Sequence, residues 1–578
     1  MIHLPALRPT GTERRTTTVF GGYDRSAAAG EVGVWADQEN MSGAAFPALA
    51  TRGPRRTVRA LDRPAGCLAK DALAVVEGPD LVYGEYRVPL ELSTDPARCP
   101  KQLISMGAYL LIWPDKKYVN TQDLSDRGSL EHSVSASAAV ALCRADGSDW
   151  GTYTASAAAP EAPEEGTLWL DTGAAAPVLR SWSAQLAVWT EIPETYLKFS
   201  APNIGQGFSL YDGVTVSGLT GTLAEYNGDH VLHAADADFL VIPGILTAPV
   251  SAAAVTVART VPDMDYVTEC GNRIWGCKYG LVNGQSVNEI YASALGDFRN
   301  WNRFRGLSTD SFAAGRGSDG PFTAAVTHLG HPLFFKEDCI EKVYPAADGA
   351  HRIVTVEGRG VQRGCWRSAA VVGETLYYKS RDGVCAYDGS LPVPVGRALG
   401  ETPYEDARAG SAGELYWLSM RDGSGAWHLF TYDTARRLWH RQDGTRAQMF
   451  ACVRGSLHWI DETASALICA DGDTEEPFAW SVTSGPLGCD LAENRYVSRL
   501  VIRCDTAGSV AVALRYDEDG TWQDKGTYSP GGLGSFVVPA PPRRCDHLRV
   551  RLSGTAPCRI LSLSRLIQRG SDVRPASP

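Results

Sequence analysis

Gly330-His-Pro-Leu-Phe-Phe335, Gly373-Glu-Thr-Leu-Tyr-Tyr378, Gly413-Glu-Leu-Tyr-Trp417 and Gly455-Ser-Leu-His-Trp-Ile460 decide the fold of this chain. Each is a glycine followed by a short apolar and aromatic run, and the four starts lie 43, 40 and 42 residues apart. Matching second runs follow in Gly383-Val-Cys-Ala-Tyr-Asp-Gly389, Trp427-His-Leu-Phe-Thr-Tyr-Asp433 and Ala466-Leu-Ile-Cys-Ala-Asp471, each with an aspartate at or next to its end. One run opens a hairpin and the next closes it, with Gly or Asp supplying the turn conformation. The alternation has period two, which excludes a helical solenoid with its period near 3.6. A repeat of about 40–45 residues made of four short strands is the spacing of a β-propeller blade. A string of separate sandwiches is the all-β rival, and the even spacing from 330 to 471 disfavours it.

Working outward, Gly107-Ala-Tyr-Leu-Leu-Ile-Trp113 and Gly271-Asn-Arg-Ile-Trp-Gly-Cys277 repeat the motif, and Lys70-Asp-Ala-Leu-Ala-Val-Val-Glu-Gly78 is a weaker member. Starts at 70, 107, 271, 330, 373, 413 and 455 give about seven blades, within a range of six to eight. The expected fold class is all-β: a β-propeller with an inserted β module and a C-terminal β-sandwich or jelly-roll. The 164 residues between 107 and 271 exceed one blade, so an insertion occupies 124–260. It holds an Ala/Pro/Glu linker from Ala155 to Gly166, a hairpin in Thr167–Thr172 and Trp182–Trp189, and a small barrel-like piece running from Gly207 to Ile242. Residues 1–45 lack periodicity and read as an extended arm, 46–123 as the first blades and 261–477 as the remaining ones. From 478 to 578 longer strands form the sandwich and tail. There Arg499 and Arg503, and Arg549 and Arg551, share strand parity and face outward.

Composition bounds the rest. With 59 Gly and 33 Pro in 578 residues, about one residue in six is a turn-former, which suits many short strands. A hydrophobic fraction of 44% with 21% charged residues is ordinary for a folded protein. The net charge of −11 argues against a dedicated nucleic-acid binder. No apolar run is long enough for a membrane-spanning helix, and the start shows no secretory signal. Basic residues are 45 Arg against 10 Lys, which suits either interface chemistry or a GC-rich genome. The 14 cysteines are scattered, form no C-x-x-C pair and sit within strand-like runs, as buried small hydrophobes with reduced thiols do.

No catalytic constellation emerges, and the expectation is of a protein that is not an enzyme, with no catalytic, cofactor-binding or metal residues and no cofactor. Gly315-Arg-Gly-Ser-Asp-Gly320 matches G-x-G-x-x-G literally, yet Pro321 follows and no helix pattern does. His230 with His233, and His328 with His331, have a spacing that strands and turns do not converge on a metal. Asp517-Glu-Asp-Gly-Thr-Trp522 is read as a tight turn and is too short for a calcium loop. Trp150, Trp169, Trp182 and Trp189 in the insertion could stack on sugars, though packing of β modules is the plainer reading.

Gly271-Asn-Arg-Ile-Trp-Gly-Cys277 and Asn288-Glu-Ile-Tyr-Ala-Ser-Ala-Leu-Gly-Asp-Phe-Arg-Asn-Trp301 resemble a recurring passage of propeller-bearing neck or tail proteins of tailed bacteriophages. The resemblance continues through Gly306–Asp310, Gly317–Phe322, Pro332–Lys336 and Leu376–Gly389. Glu39–Leu49, Arg543–Leu552 and Gly570–Arg574 are similar to the same prophage family. It implies a structural component of the virion, of the DNA-stabilisation, tail-hub or nozzle kind. Such a protein would form a ring-shaped homo-oligomer with portal, adaptor or tail-tube proteins, found in the virion and, before assembly, in the host cytoplasm. Phage DNA would pass it transiently without sequence-specific binding, past acidic walls that repel phosphate. The competing expectation is a glycan-binding or glycan-cleaving propeller acting in host-surface recognition.

Overall fold

The computed structural model describes residues 12–26, 33–487, 495–517, 519–543 and 545–569. The protein is all-β, a β-propeller with an inserted β module and a C-terminal β-sandwich. Each of the seven glycine-led or related starts lies in a four-stranded sheet of its own, and in six of them the strands are ordered as they follow in the chain. All six motif glycines turn with positive φ, between 54° and 86°. In Leu329-Gly330 and Arg454-Gly455 both central residues do so, the two-residue turn whose twist matches a hairpin.

The chain divides into two compact units. The first comprises Met1–Pro89, Phe335–Ile340 and Val356–Pro578. It holds sheets built from Pro64–Ala69 to Tyr86–Pro89, from Ala370–Val372 to Val393–Pro394, and from Tyr404–Ala412 to Leu438–Arg441. A fourth joins Ala447–Val453, Ser456–Asp461 and Ala466–Cys469 to Arg56–Ala60. That last strand comes from about 410 positions earlier in the chain, pairing Ala60 with Ala466 and Arg56 with Cys469. Beside it Arg52 forks onto Glu475 at 2.6 and 2.8 Å, and Arg55 reaches Asp443 at 2.6 Å.

The first strands of these sheets lie side by side, Ala370–Val372 next to Tyr404–Ala412, then Ala447–Val453, then Pro64–Ala69. The middle strands are covered on both faces, which is why Thr375–Ser380 and Leu415–Asp422 read as near-continuous apolar runs. Close packing of the first strands depends on Gly410: a Cβ there would stand 2.3 Å from Phe450 Cβ. Gly410→Ala is expected to cost about 1–3 kcal/mol through overpacking, seen as a lower urea midpoint of the first unit. An unchanged midpoint would show that the strands separate freely.

The sandwich also belongs to the first unit. A five-stranded sheet, Trp35–Glu39, Trp480–Ser484, Leu548–Gly554, Val510–Tyr516 and Gln523–Tyr528, packs on a six-stranded one that includes Arg495–Thr506, Gly532–Pro539 and Cys558–Arg569. Trp35, Trp480 and Tyr516 are fully buried between them, each worth about 1.5–3 kcal/mol of apolar transfer. Strands from the stretch read as an N-terminal arm, and Leu49–Thr51 from the stretch read as the first blades, are built into this sandwich. Thr12–Thr17 pairs with Cys558–Arg569, Trp35–Glu39 with Trp480–Ser484, and Leu49–Thr51 with Cys558–Arg569. Their partners lie more than 400 positions away, so no local periodicity marks them. Arg499, Arg503 and Arg551 are exposed on outer faces.

The second unit comprises Leu90–Phe334 and Glu341–Thr355. It contains the sheets from Gln102–Met106 to Arg127–Ser129 and from Tyr266–Glu269 to Phe312–Gly315, and most of the sheet beginning at Ala324–His328. Between the first two lies the insertion. A seven-stranded sheet is centred on His132–Cys143 and Val250–Arg259, and a four-stranded sheet runs from Tyr153–Ser156 to Val188–Glu191. The latter carries the hairpin expected from sequence plus a parallel strand, Tyr153 opposite Leu168. Leu170 and Leu179 of the small sheet share a core with Val140, Leu197, Phe199 and Val255 of the large one. Among the described residues no helix is long and apolar enough to cross a membrane.

Candidate functional site: the groove of the inserted module

The insertion leaves along His132–Cys143 and returns along Val250–Arg259, paired antiparallel from His132 opposite Arg259 onward. Its base is held by buried charge. Arg259 Nη1 lies 2.7 Å from Asp212 Oδ2, and the same nitrogen donates to the Gly207 carbonyl at 3.2 Å. Asn300 donates to Asp212 Oδ1 at 2.9 Å and to Asp297 Oδ2 at 2.5 Å, while its Oδ1 accepts the Gly213 amide at 2.7 Å. Lys116 adds bonds to Glu131, Asp263 and the Val261 carbonyl. The segment Asp297-Phe-Arg-Asn-Trp301 thus does two jobs. Asn300 grips the insertion, and Phe298 packs on Tyr109 and Tyr118 of the preceding sheet, with ring centroids 4.8 and 5.6 Å away.

Above this anchor the insertion has a groove made of two adjoining hollows. One, of about 430 Å³, is lined by Pro177, Glu191, Glu194, Tyr196, Tyr226 and Ile245 among others; the second, of about 420 Å³, by Asp229, His230, Asn302, Phe304 and Arg305. His233 and Pro243 line both. Concave sites of this size with aromatic walls and a few convergent polar groups are where ligands bind. Strand pairing sets the walls: Tyr196 stands opposite Pro243, and Gly244 donates back to the Thr195 carbonyl at 3.0 Å. Tyr226 closes one end, donating to the Ile245 carbonyl at 2.6 Å.

The electrostatics are mixed. The Tyr196 hydroxyl donates to Glu194 at 2.6 Å, and burial together with that carboxylate pushes the phenol up to about 12. His233 packs against Tyr196 with centroids 4.6 Å apart. Burial, and then the Arg305 charge, hold its imidazole below the ordinary value, so it is neutral at pH 7. Arg305 lies over the Tyr211 ring, 3.9 Å from its centroid.

The residues singled out from sequence fall in several places. Trp182 and Trp189 face each other across strands, 5.3 Å between centroids, with Trp169 5.3 Å from Trp189 and Arg180 above Trp169. Trp150 donates to the Cys143 carbonyl at 2.8 Å and lies under Arg144. His230 bonds the Tyr226 carbonyl at 2.9 Å, while His233 packs on Tyr196, so the two are separately engaged. His331 bonds the Val343 carbonyl at 3.0 Å across a hairpin from the buried His328. In Gly315–Gly320, Arg316 pairs with the buried Glu341 at 2.7 Å, and Asn288 holds the carbonyls of Arg316 and Ser318. Asp517 takes the amides of Asp546 and His547, a strand-joining turn; Glu518, Cys489, Arg544 and residues 570–574 lie outside the described residues. Most described cysteines are buried, and burial alone pushes Cys67 up to about 12. Among the described residues no three His, Cys, Asp or Glu side chains converge as metal ligands.

Tyr211, Glu194 and Arg305 were not marked by any motif, because the groove assembles from segments up to about 130 residues apart. The one local signal is Phe304-Arg-Gly-Leu307, an apolar pair around an arginine in a loop.

No family model matches the chain. No curated protein matches it. Among solved structures, the chain is similar to an exo-β-1,3-galactanase from Phanerochaete chrysosporium, at 9% identity and a TM-score of 0.21, covering 52% of this chain and 94% of that one. It is also similar to U3-55K, at 7% identity and a TM-score of 0.23, over 50% and 88%. A third likeness is to PorZ, a surface component of the type-IX secretion system of Porphyromonas gingivalis, at 10% identity and a TM-score of 0.16, over 81% and 65%.

Proposed function

We propose that the chain is a structural, non-enzymatic component of a tailed-phage virion, of the neck, nozzle or hub kind. In this reading it assembles with portal, adaptor or tail-tube proteins as a ring around the DNA exit path. The observation that carries the reading is how the phage-like passage Asn288–Trp301 is used. Its polar side chains brace the backbone around it: Asn300 ties the insertion at Asp212 and Gly213 and bonds the nearby Asp297, and Asn288 holds the Arg316 and Ser318 carbonyls of the loop that leaves its own sheet. A passage that recurs for bracing suits a part that must hold its shape under load.

The test is assembly. The purified chain, alone and with the portal, adaptor and tube proteins encoded beside it, is imaged by negative stain and weighed by native mass spectrometry. Rings or stoichiometric co-complexes are expected, and peptides of the chain are expected in purified particles. A monomer that joins none of these proteins and is missing from particles would sink the reading.

A second reading, glycan recognition by the inserted module, is favoured by the groove itself. Tyr226 and Phe304 offer aromatic rings, and Glu191 and Glu194 offer hydroxyl acceptors, along the two adjoining hollows. The two readings are compatible in a virion part that also touches the host surface.

A further inference from the structure

We propose that the groove binds an oligosaccharide bearing a carboxylated sugar, seated so that Arg305 pairs with the sugar carboxylate. The proposal rests on the glycan reading of the inserted module and names the class of glycan.

Arg305 is the starting point. It is exposed, its guanidinium lies over Tyr211 at 3.9 Å, and among the described residues no carboxylate pairs with it. Stacking on a ring fixes the plane of the guanidinium and leaves its edge N–H groups free. That is the geometry for a forked bond to a carboxylate. Tyr211 is held for this purpose at a cost: its φ is 68°, a region a bulky residue seldom occupies. Its amide bonds the Leu232 carbonyl at 2.9 Å, which locks the ring beneath the arginine.

The surroundings fit a sugar. Phe304, next to Arg305 in the chain and lining the same hollow, is 57% exposed and offers an aromatic face to pyranose C–H groups. Asp229, the carboxylate in the same hollow, is already engaged by the Thr215 hydroxyl at 2.6 Å. Glu194 accepts from the Tyr196 hydroxyl, and Glu194 and Glu191 both line the first hollow, away from Arg305. A neutral sugar would use these acceptors but leave the guanidinium without a counter-charge. An anionic unit at the Arg305 end and neutral units toward Glu194 satisfy both. A peptide fits less well. Pro177, Pro193 and Pro243 in the walls have no N–H to offer, and peptides in extended form bind by main-chain pairing.

The experiment is calorimetric titration of the whole chain with tetramers of galacturonate and of mannuronate, with the corresponding neutral hexose tetramers, and with inorganic phosphate. Wild type is compared with Arg305→Gln and Phe304→Ala, each checked for native circular dichroism. At least one acidic tetramer is expected to bind tenfold or more tighter than its neutral counterpart. Arg305→Gln is expected to weaken the acid about 10- to 100-fold, the range for a charged hydrogen bond, and to leave any neutral binding unchanged. Phe304→Ala is expected to weaken both. Equal binding of acid and neutral tetramers would overturn the proposal and leave the glycan reading standing. Binding of neither would overturn both. Phosphate binding as tightly as the acid would reduce the site to one for simple anions and also overturn the proposal.

Discussion

Arg259→Met is expected to destabilise the second unit by about 3–5 kcal/mol, the cost of stranding one partner of a buried ion pair. Arg259 and Asp212 are both nearly sealed, each side chain 6% exposed, with 2.7 Å between charged atoms. Losing the cation leaves Asp212 with Asn300 and the Ser209 amide as donors, too little to offset a desolvated carboxylate. The loss should be local first. Hydrogen exchange should rise along His132–Cys143 and Val250–Arg259, and proteases should cut within 132–259 before any blade of the first unit opens. Pairing the change with Asp212→Asn is the decisive control. With charge removed from both sides, more than half of the lost stability should return, because neutral buried partners cost far less than one bare charge. A single variant that unfolds no more easily than wild type would mean that water already reaches the pair. A double variant as unstable as the single would mean that shape, and not charge, holds the base.

The same pair shows where sequence reading reaches and where it stops. The blades were legible because each is local: Gly413-Glu-Leu-Tyr-Trp417 and Trp427–Asp433 pair across a short turn, Leu415 opposite Asp433. Asp388 and Asp433 recur because strand ends need an acceptor for the next amides, and each takes an amide from the turn that follows it. The insertion was legible by arithmetic alone, since 164 residues cannot fit one blade. What stayed hidden is non-local. Thr12–Thr17 and Arg56–Ala60 have partners some 550 and 410 positions away, and a strand completed by a distant partner carries no periodic signature of its own. The groove was hidden for the same reason. His233 was visible as half of a histidine pair, yet its working neighbours, Tyr196 and Arg305, are set beside it only by the fold.

His440 carries the other large effect, and its sign follows from burial. The imidazole is fully enclosed where the N-terminal segment crosses the outer strand Leu438–Arg441. The Tyr23 amide donates to the Trp439 carbonyl at 2.7 Å, and Gly22 and Gly43 pack against the ring so closely that a Cβ on Gly43 would stand 2.6 Å from Nε2. Neither ring nitrogen has a hydrogen-bond partner. Burial pushes the group down to about 4, with Asp433 only partly opposing it. Folded His440 therefore resists protonation, while the unfolded chain binds a proton near pH 6.5. Between those values the unfolded state holds more protons, so stability falls as pH falls. The first unit should lose about 2–3 kcal/mol between pH 7 and pH 4.5, with little further change from this group below pH 4. The arginine-paired carboxylates Asp443 and Glu475, held low by Arg55 and Arg52, add their own losses only at the acid end, so pH 6.5 to 4.5 isolates the histidine. Urea unfolding of wild type and His440→Leu across that range decides the matter. The variant should be close to flat, having no proton to gain and no orphaned nitrogen to bury, and should match or exceed wild type at pH 5. A wild-type curve as flat as the variant's would show that the imidazole finds water or a partner in the folded state. Because Gly22 and Gly43, on either side of the strand Trp35–Glu39 in the chain, pack against the ring, the first structure to loosen in acid should be the N-terminal edge of the sandwich. Faster exchange of the Tyr23 and Asn40 amides, bonded to the Trp439 and Gln442 carbonyls, should precede any change in the other blades of the first unit.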